Sequence, residues 1–232
     1  MSLVALGGRS RFELLVFDWD GTLADSAAII ANALQCACRD LALAVPDDKA
    51  ARYVIGLGLA DALRHVAPTL PAERHGELTA RYRAHYLARD GDIPLFDGAR
   101  ELLDMLLQRG HRLAVATGKS RVGLDRALRQ TGLAHLFCAT RCADEGEPKP
   151  HPDMLLRLME RTRVAPDRTL MIGDTTHDLE LARNAGVAAI AVAYGAHAAD
   201  AFEAYTPLAV MRSIDELSVW LADHSAPAAT QG

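Results

Sequence analysis

Residues 16–26 read VFDWDGTLADS: an apolar run that begins at Leu14 ends on Asp18, a second aspartate stands at 20, and Gly21-Thr22 turns the chain. A short apolar run closed by a turn signal is the pattern of a strand buried on both faces. The pattern recurs as LAVAT (113–117), LFCAT (136–140), LMIGD (170–174), AIAVA (189–193) and LAVM (208–211). Amphipathic stretches near 99–109, 121–131, 153–162 and 177–185 lie between these runs, with Gly110, Gly132 and Gly186 placed as helix stops. The alternation predicts an α/β fold, a doubly wound, Rossmann-like parallel sheet.

One interval departs from it. Over ninety residues separate Asp18 from Leu113, whereas a crossover needs only ~10–12. Helical patterns at 26–44, 48–55, 59–66 and 72–89, broken at Pro46, Gly56/Gly58 and Pro68/Pro71, predict an α-helical domain inserted after the first strand, over the carboxyl edge of the sheet. The expected division is a core of 12–25 and 92–222, an inserted domain of 26–91, and flexible tails at 1–11 and 223–232.

Charge and hydropathy exclude several function classes. The 232 residues carry 30 Asp+Glu against 25 Lys+Arg, with no block of basic residues, so the chain lacks the electrostatic footprint of a nucleic-acid binder. No apolar run approaches the ~18 residues of a membrane span, and the N-terminal VALGG is shorter than the ~7–15 of a secretory signal. A cytoplasmic protein is expected, as a monomer or homodimer. Cys36, Cys38, Cys138 and Cys142 lack zinc-site spacing and read as reduced thiols. Of the 25 cationic residues 22 are Arg, which draws attention to the three lysines at 49, 119 and 149.

Chemistry-bearing residues collect at the strand ends. Asp18 and Asp20 share a face if the strand persists, and two carboxylates ~4 Å apart repel by about 4 kcal/mol at an effective dielectric of ~20, so a cation or a shared proton is required. The alternative is a plain Asp-Gly turn. Asp174 ends another strand and Asp178 follows one helical turn on, in GDTTHD; helix capping accounts for one of the two but not readily for both. Four carboxylates at the carboxyl ends of two strands form an all-oxygen site suited to Mg²⁺. Thr117 and Gly118, in VATGKS, offer a hydroxyl and backbone N–H groups to an anion, unless Thr117 is only a β-branched strand end. Lys149 is held between Pro148 and Pro150, a compact charge where a planar guanidinium would not fit.

DWDGTLADS, TGK, KPHP and GDTTHD, in that order on alternating strands, resemble the four motifs of the haloacid dehalogenase superfamily, and specifically its phosphatases similar to phosphoglycolate phosphatase. The resemblance covers about Phe12 to Trp220, and the inserted helices resemble that family's first type of helical cap. It implies that Asp18 is a nucleophile forming an aspartyl-phosphate and that Asp20 protonates the leaving alkoxide and then activates water. It further implies Mg²⁺ bound by Asp18, the Asp20 backbone carbonyl and Asp174 with Asp178 in support, a phosphate cradle at Thr117 and Gly118, and Lys149 neutralising nucleophile and phosphate. The loop with Gly56 and Gly58 resembles the family's substrate-specificity loop, and Lys119 stands open between site and surface. The substrate implied is a small phosphorylated metabolite, phosphoglycolate-like or a sugar phosphate.

Neighbouring residues carry plainer expectations. Asp25-Ser26 should cap the first inserted helix, His177 should face solvent, and Trp19 should pack into the core. Asp20 argues against a dehalogenase, since a halide needs no proton. Lys49, in PDDKAARY, does not read as the desolvated amine of a phosphonate hydrolase. A receiver-type signalling domain needs neither the second aspartate nor the insertion. Two readings stay beside the phosphatase: a sugar phosphomutase using the same motifs, and a non-catalytic phosphate-binding interaction protein.

Overall fold

In the computed structural model, which describes residues 12–224, the run ahead of Asp18 is strand β1 (Leu14–Phe17). Its side chains alternate, so Leu15 and Phe17 enter one apolar cluster while Leu14 and Val16 enter another. The insertion follows as α1 (Ala27–Asp40), α2 (Asp48–Tyr53), α3 (Leu59–Val66) and α4 (His75–Leu87). Then come α5 (Ala99–Gln108), β2 (Arg112–Thr117), α6 (Arg121–Thr131), β3 (Ala139–Cys142), α7 (Asp153–Thr162) and β4 (Thr169–Gly173). The chain closes with α8 (Thr176–Asn184), β5 (Ala188–Val192), β6 (Val210–Met211) and α9 (Ile214–His224).

All six strands are parallel, in the order β3-β2-β1-β4-β5-β6. Helices α5, α6 and α9 cover the face of Leu15 and Phe17, and α7 and α8 cover the other. The strand order reverses between β1 and β4, whose register pairs Phe17 with Ile172. In open α/β sheets a crevice opens beyond the carboxyl ends at such a reversal, and Asp18 and Asp174 are the residues that step out there.

Local chemistry explains several helix ends. Asp47 accepts from Ala50 N at the start of α2, Ser120 accepts from Gly123 N at the start of α6, and Gly132 ends α6 in a left-handed conformation. Thr175 and Asp178 form a reciprocal capping box on α8.

Three elements differ from expectation. The strand expected at 136–140 is Ala139–Cys142, preceded by a 3-10 turn over Ala134–Leu136. Leu136 and Phe137 reach the core from that turn, so their hydrophobicity marks burial rather than strand. The helix expected to run to 44 ends at Asp40, where Leu43 N donates back to Cys38 O. Residues 214–224 form α9, with Ile214, Leu217 and Leu221 inward, so 223 and 224 are helical rather than tail. The tails expected at 1–11 and from 225 onward lie outside the described residues.

The inserted helices have their own apolar cluster, including Ile30, Leu34, Val54, Leu63 and Leu78. The chain leaves the sheet at Ala24-Asp25 and returns at Pro94-Leu95, and the two crossings pair with each other: Ala24 bridges Leu95, and Asp25 N donates to Pro94 O at 3.0 Å. Among the described residues no helix is long and apolar enough to cross a membrane.

Insertion and sheet meet at backbone level. A Cβ on Gly118 would lie 2.5 Å from Gly56 O and 2.6 Å from Leu57 O, so only a glycine allows this approach. Tyr53 O accepts from His177 Nε2 at 2.7 Å and from His197 Nε2 at 3.1 Å, a second tie between the insertion and the core. We expect Gly118→Ala to push the 55–58 loop away while sparing the sheet. Amide exchange in that loop should accelerate with the β1 and β4 amides unchanged, and an unaltered loop would contradict the contact.

Candidate active site

Asp18 follows the last residue of β1 and keeps the ladder for one step, its N–H donating to Ile172 O at 2.9 Å. The chain then coils tightly, with Leu23 N and Ala24 N donating to Trp19 O. Gly21 permits this coil: its φ is +80°, and a Cβ there would collide with the Asp174 carboxylate. Trp19 packs into the core as expected, edge-on to Phe137.

The turn sends the two aspartates to different places. Asp18 is fully buried and joins Asp174 and Asp178, each contributing a carboxylate oxygen within 4.8 Å of the others. Asp20 swings away: its Oδ1 accepts from Ser26 Oγ at 2.6 Å and pairs with Lys119 Nζ at 2.9 Å. The chain leaves the extended form after Asp18, so Asp20 takes partners of its own while its charge is still felt at Asp18.

Within the acidic trio, donors are unevenly shared. Asp174 accepts from Thr22 Oγ1 at 2.8 Å and Ala196 N at 2.7 Å. Asp178 accepts from Thr175 N and Thr175 Oγ1, and from Lys149 Nζ at 2.6 Å. Asp18 has Lys149 Nζ at 2.8 Å as an ion pair, but no donor makes a well-directed hydrogen bond to either of its oxygens. Burial pushes the Asp18 carboxyl up to about 7, helped by the charges of Asp178 and Asp20 and opposed by Lys149. Burial first, and the charges of Asp18 and Asp178 second, push Asp174 well above the carboxylate range. For Lys149 burial acts to lower the pKa, but the carboxylates of Asp178 and Asp18 outweigh it and hold the ammonium protonated.

Three buried carboxylates against one ammonium leave the site short of positive charge. A hard divalent cation fits that deficit, since the three candidate ligands are all carboxylates and, apart from the Lys149 ammonium, no donor faces the Asp18 oxygens. Asp18, Asp174 and Asp178 are the side chains placed to hold it, whereas the Asp20 carboxylate is turned elsewhere.

Thr117 and Gly118, expected from sequence to receive an anion, lie at the end of the strand next to β1. Thr117 ends β2 two register steps beyond the Phe17–Val115 pair and is buried, its Oγ1 accepting from Lys119 N at 3.2 Å. Gly118 carries the chain on to the start of α6. Gly56 and Gly58 sit across from it, Gly56 at φ +91° and Gly58 as the residue before α3.

Two expectations fail. Ser26 does not cap α1 with its side chain, and Asp25 is exposed; the buried hydroxyl donates to a carboxylate instead, a stronger bond than the backbone N–H it would otherwise accept. His177 does not face solvent. It is buried beside Tyr53 and His197, and burial lowers the pKa of both imidazoles, leaving neutral rings that donate to Tyr53 O.

Residues not singled out from sequence complete the surroundings. Lys119 Nζ also donates to Tyr86 Oη at 2.8 Å, so α4 of the insertion touches the cation that holds Asp20. Tyr86 in turn bonds to Asp90, which, despite burial, Arg126 and Tyr86 hold below its ordinary value. Ser26 carried a local signal, but a helix-start signal. Tyr86, Thr22 and His197 carried none, because their partners are remote in sequence.

Against known proteins, the family model "Haloacid dehalogenase-like hydrolase" matches residues 15–192. The chain is 37% identical over 210 residues to the "Probable phosphatase IndB" of Dickeya dadantii, covering 88% of this chain and 91% of that one. It is 34% identical over 192 residues to the phosphoglycolate phosphatase of Agrobacterium fabrum, covering 78% and 81%. Among solved structures, a predicted phosphatase from Clostridium acetobutylicum superposes with a TM-score of 0.82 at 25% identity, covering 92% of this chain and all of that one.

The buried charge balance predicts a stability effect. Lys149→Met strands Asp18 and Asp178 without their cation, and losing one partner of a buried pair costs about 3–5 kcal/mol. Urea unfolding in EDTA should show that loss, and the double variant Asp18→Asn/Lys149→Met should recover part of it. A single variant as stable as the parent would contradict the balance.

Proposed function

Because the chain belongs to the haloacid dehalogenase-like hydrolase family, we propose that it hydrolyses a phosphomonoester of metabolite size, dependent on Mg²⁺, through an aspartyl-phosphate on Asp18. The observation that carries this reading is the different surroundings of the two aspartates: one buried and short of donors among acidic partners, the other tied to Ser26 and Lys119. Two carboxyl groups given different surroundings can take different roles.

In the first step an Asp18 oxygen attacks phosphorus, the bond from phosphorus to the ester oxygen breaks, and Asp20 gives its proton to the departing alkoxide. In the second step Asp20 takes a proton from a water molecule, whose oxygen attacks the phosphorus of the aspartyl-phosphate. Inorganic phosphate leaves and Asp18 is restored. Lys149 opposes the protonation of Asp18 that burial favours and faces the incoming phosphoryl charge, and the Thr117 hydroxyl with the N–H groups after it receives the phosphoryl oxygens. Bound Mg²⁺ supplies charge neutralisation for the phosphoryl group and for Asp18. Ser26 and Lys119 aim Asp20, and the inserted helices exclude water other than the one that reacts.

With Mg²⁺ the protein should hydrolyse p-nitrophenyl phosphate, and EDTA should abolish turnover. Asp18→Asn should remove activity altogether; turnover surviving in that variant would refute the nucleophile. Asp20→Asn should lower kcat by ~10²–10⁴-fold while Mg²⁺ still raises the melting temperature, and an unchanged kcat would remove Asp20 from acid–base chemistry.

A further inference from the structure

We infer that the organic part of the substrate is a bulky, ring-bearing group lying in the cavity between the inserted helices and the start of α6, rather than a short acid such as glycolate; the inference rests on the phosphatase reading above. The proton donor must touch the ester oxygen, so the carbon skeleton begins at Asp20. Among the described residues, two of the voids border that residue. One, beside Trp19 and Asp90, has a volume of about 20 Å³, room for a water molecule. The other is about 710 Å³ and is bordered at one side by Asp20, Gly118 and Lys119.

That volume lies in the range of ~300–1,000 Å³ typical of sites that enclose large organic ligands. A carboxymethyl group would leave most of it as water against apolar walls. Those walls include Ile30, Leu34, Ile55, Leu57 and Leu59, together with Tyr82, whose ring stacks on Tyr86. Leu87 and Val122 border the same space and are 51% and 70% exposed, so its apolar lining extends to solvent.

The cations argue the same way. A carboxylate one carbon from the ester oxygen needs a positive charge beside Asp20, and Lys119 there is already shared between Asp20 and Tyr86. Arg126 is paired with Asp90, and Arg83 borders the cavity from the exposed face of α4, where water screens its charge. A ring with an apolar face instead buries its area against the aliphatic wall and Tyr82 without displacing an ion pair.

The test compares kcat/KM of the Mg²⁺-loaded full chain for 2-phosphoglycolate with a set of ring-bearing alkyl phosphates: adenosine 5′-monophosphate, pyridoxal 5′-phosphate and riboflavin 5′-phosphate. p-Nitrophenyl phosphate, itself ring-bearing and so left out of the comparison, serves only to show that the protein turns over. The best ring-bearing ester should exceed phosphoglycolate by on the order of 10²-fold. Ala60→Trp, an exposed position bordering the cavity, should raise the KM ratio of that ester to phosphoglycolate by about tenfold, the factor that 1.4 kcal/mol of lost binding gives. Phosphoglycolate equal to or better than every ring-bearing ester, or a KM ratio unmoved by Ala60→Trp in folded protein, overturns the inference and leaves the phosphatase reading intact. Failure to hydrolyse any of the esters, the control included, overturns the assigned chemistry and this inference with it.

Discussion

The contact on which the site depends is the ammonium of Lys149, buried 2.8 Å from Asp18 and 2.6 Å from Asp178. Three carboxylates withdrawn from water repel one another and are each poorly solvated, a combination that favours protonation or unfolding unless positive charge is built in. Lys149 supplies part of that charge, and the donors from Thr22, Thr175 and Ala196 satisfy the oxygens of Asp174 and Asp178. What remains uncompensated is concentrated on Asp18. The sheet makes this crowding unavoidable: parallel β1 and β4 are adjacent at the point where strand order reverses, and each is followed directly by an aspartate.

A second constraint sits in the turn after Asp18. The coil around Gly21 is tight enough that Asp20, two residues on, faces another set of partners, and one of these, Lys119, is held in turn by Tyr86 of α4. Three of the places where insertion and core meet differ in character. They are a charged contact through Lys119, a backbone contact of Gly118 with the 56–57 carbonyls, and a pair of neutral histidines on Tyr53 O. The insertion touches the surroundings of Asp20 directly, through Tyr86 and Lys119, whereas Lys149, the partner of Asp18, lies in the core.

Much of the fold was legible because it is written in local periodicity. Five of the six strands fall within a residue or two of the apolar runs, and α3, α6 and α7 begin and end where their patterns do. The strand at Ala139–Cys142 was misplaced because Leu136 and Phe137 are apolar for a different reason, filling the core from a turn at the sheet's edge. In the site, Asp18, Asp174, Asp178 and Lys149 do come together. Ser26 and His177 were misread because a residue's position in a helix start says which backbone groups it could serve, not which stronger partner folding brings near.

By itself the sequence determined the α/β class, the order of its strands and helices along the chain, the presence of a long helical insertion, and which ionisable groups arrive at strand ends. Each of these follows from spacing within about a dozen residues, the range over which side-chain periodicity and turn chemistry act. Only the tertiary structure decided which carboxylates share Lys149, that Asp20 turns to Ser26 and Lys119, and that Gly118 lies against the 56–57 backbone. It also decided that an apolar cavity opens beside Asp20. Those outcomes depend on the strand order and on where the inserted helices rest. Both are set by burial of apolar faces between segments far apart in the chain, which no local pattern encodes.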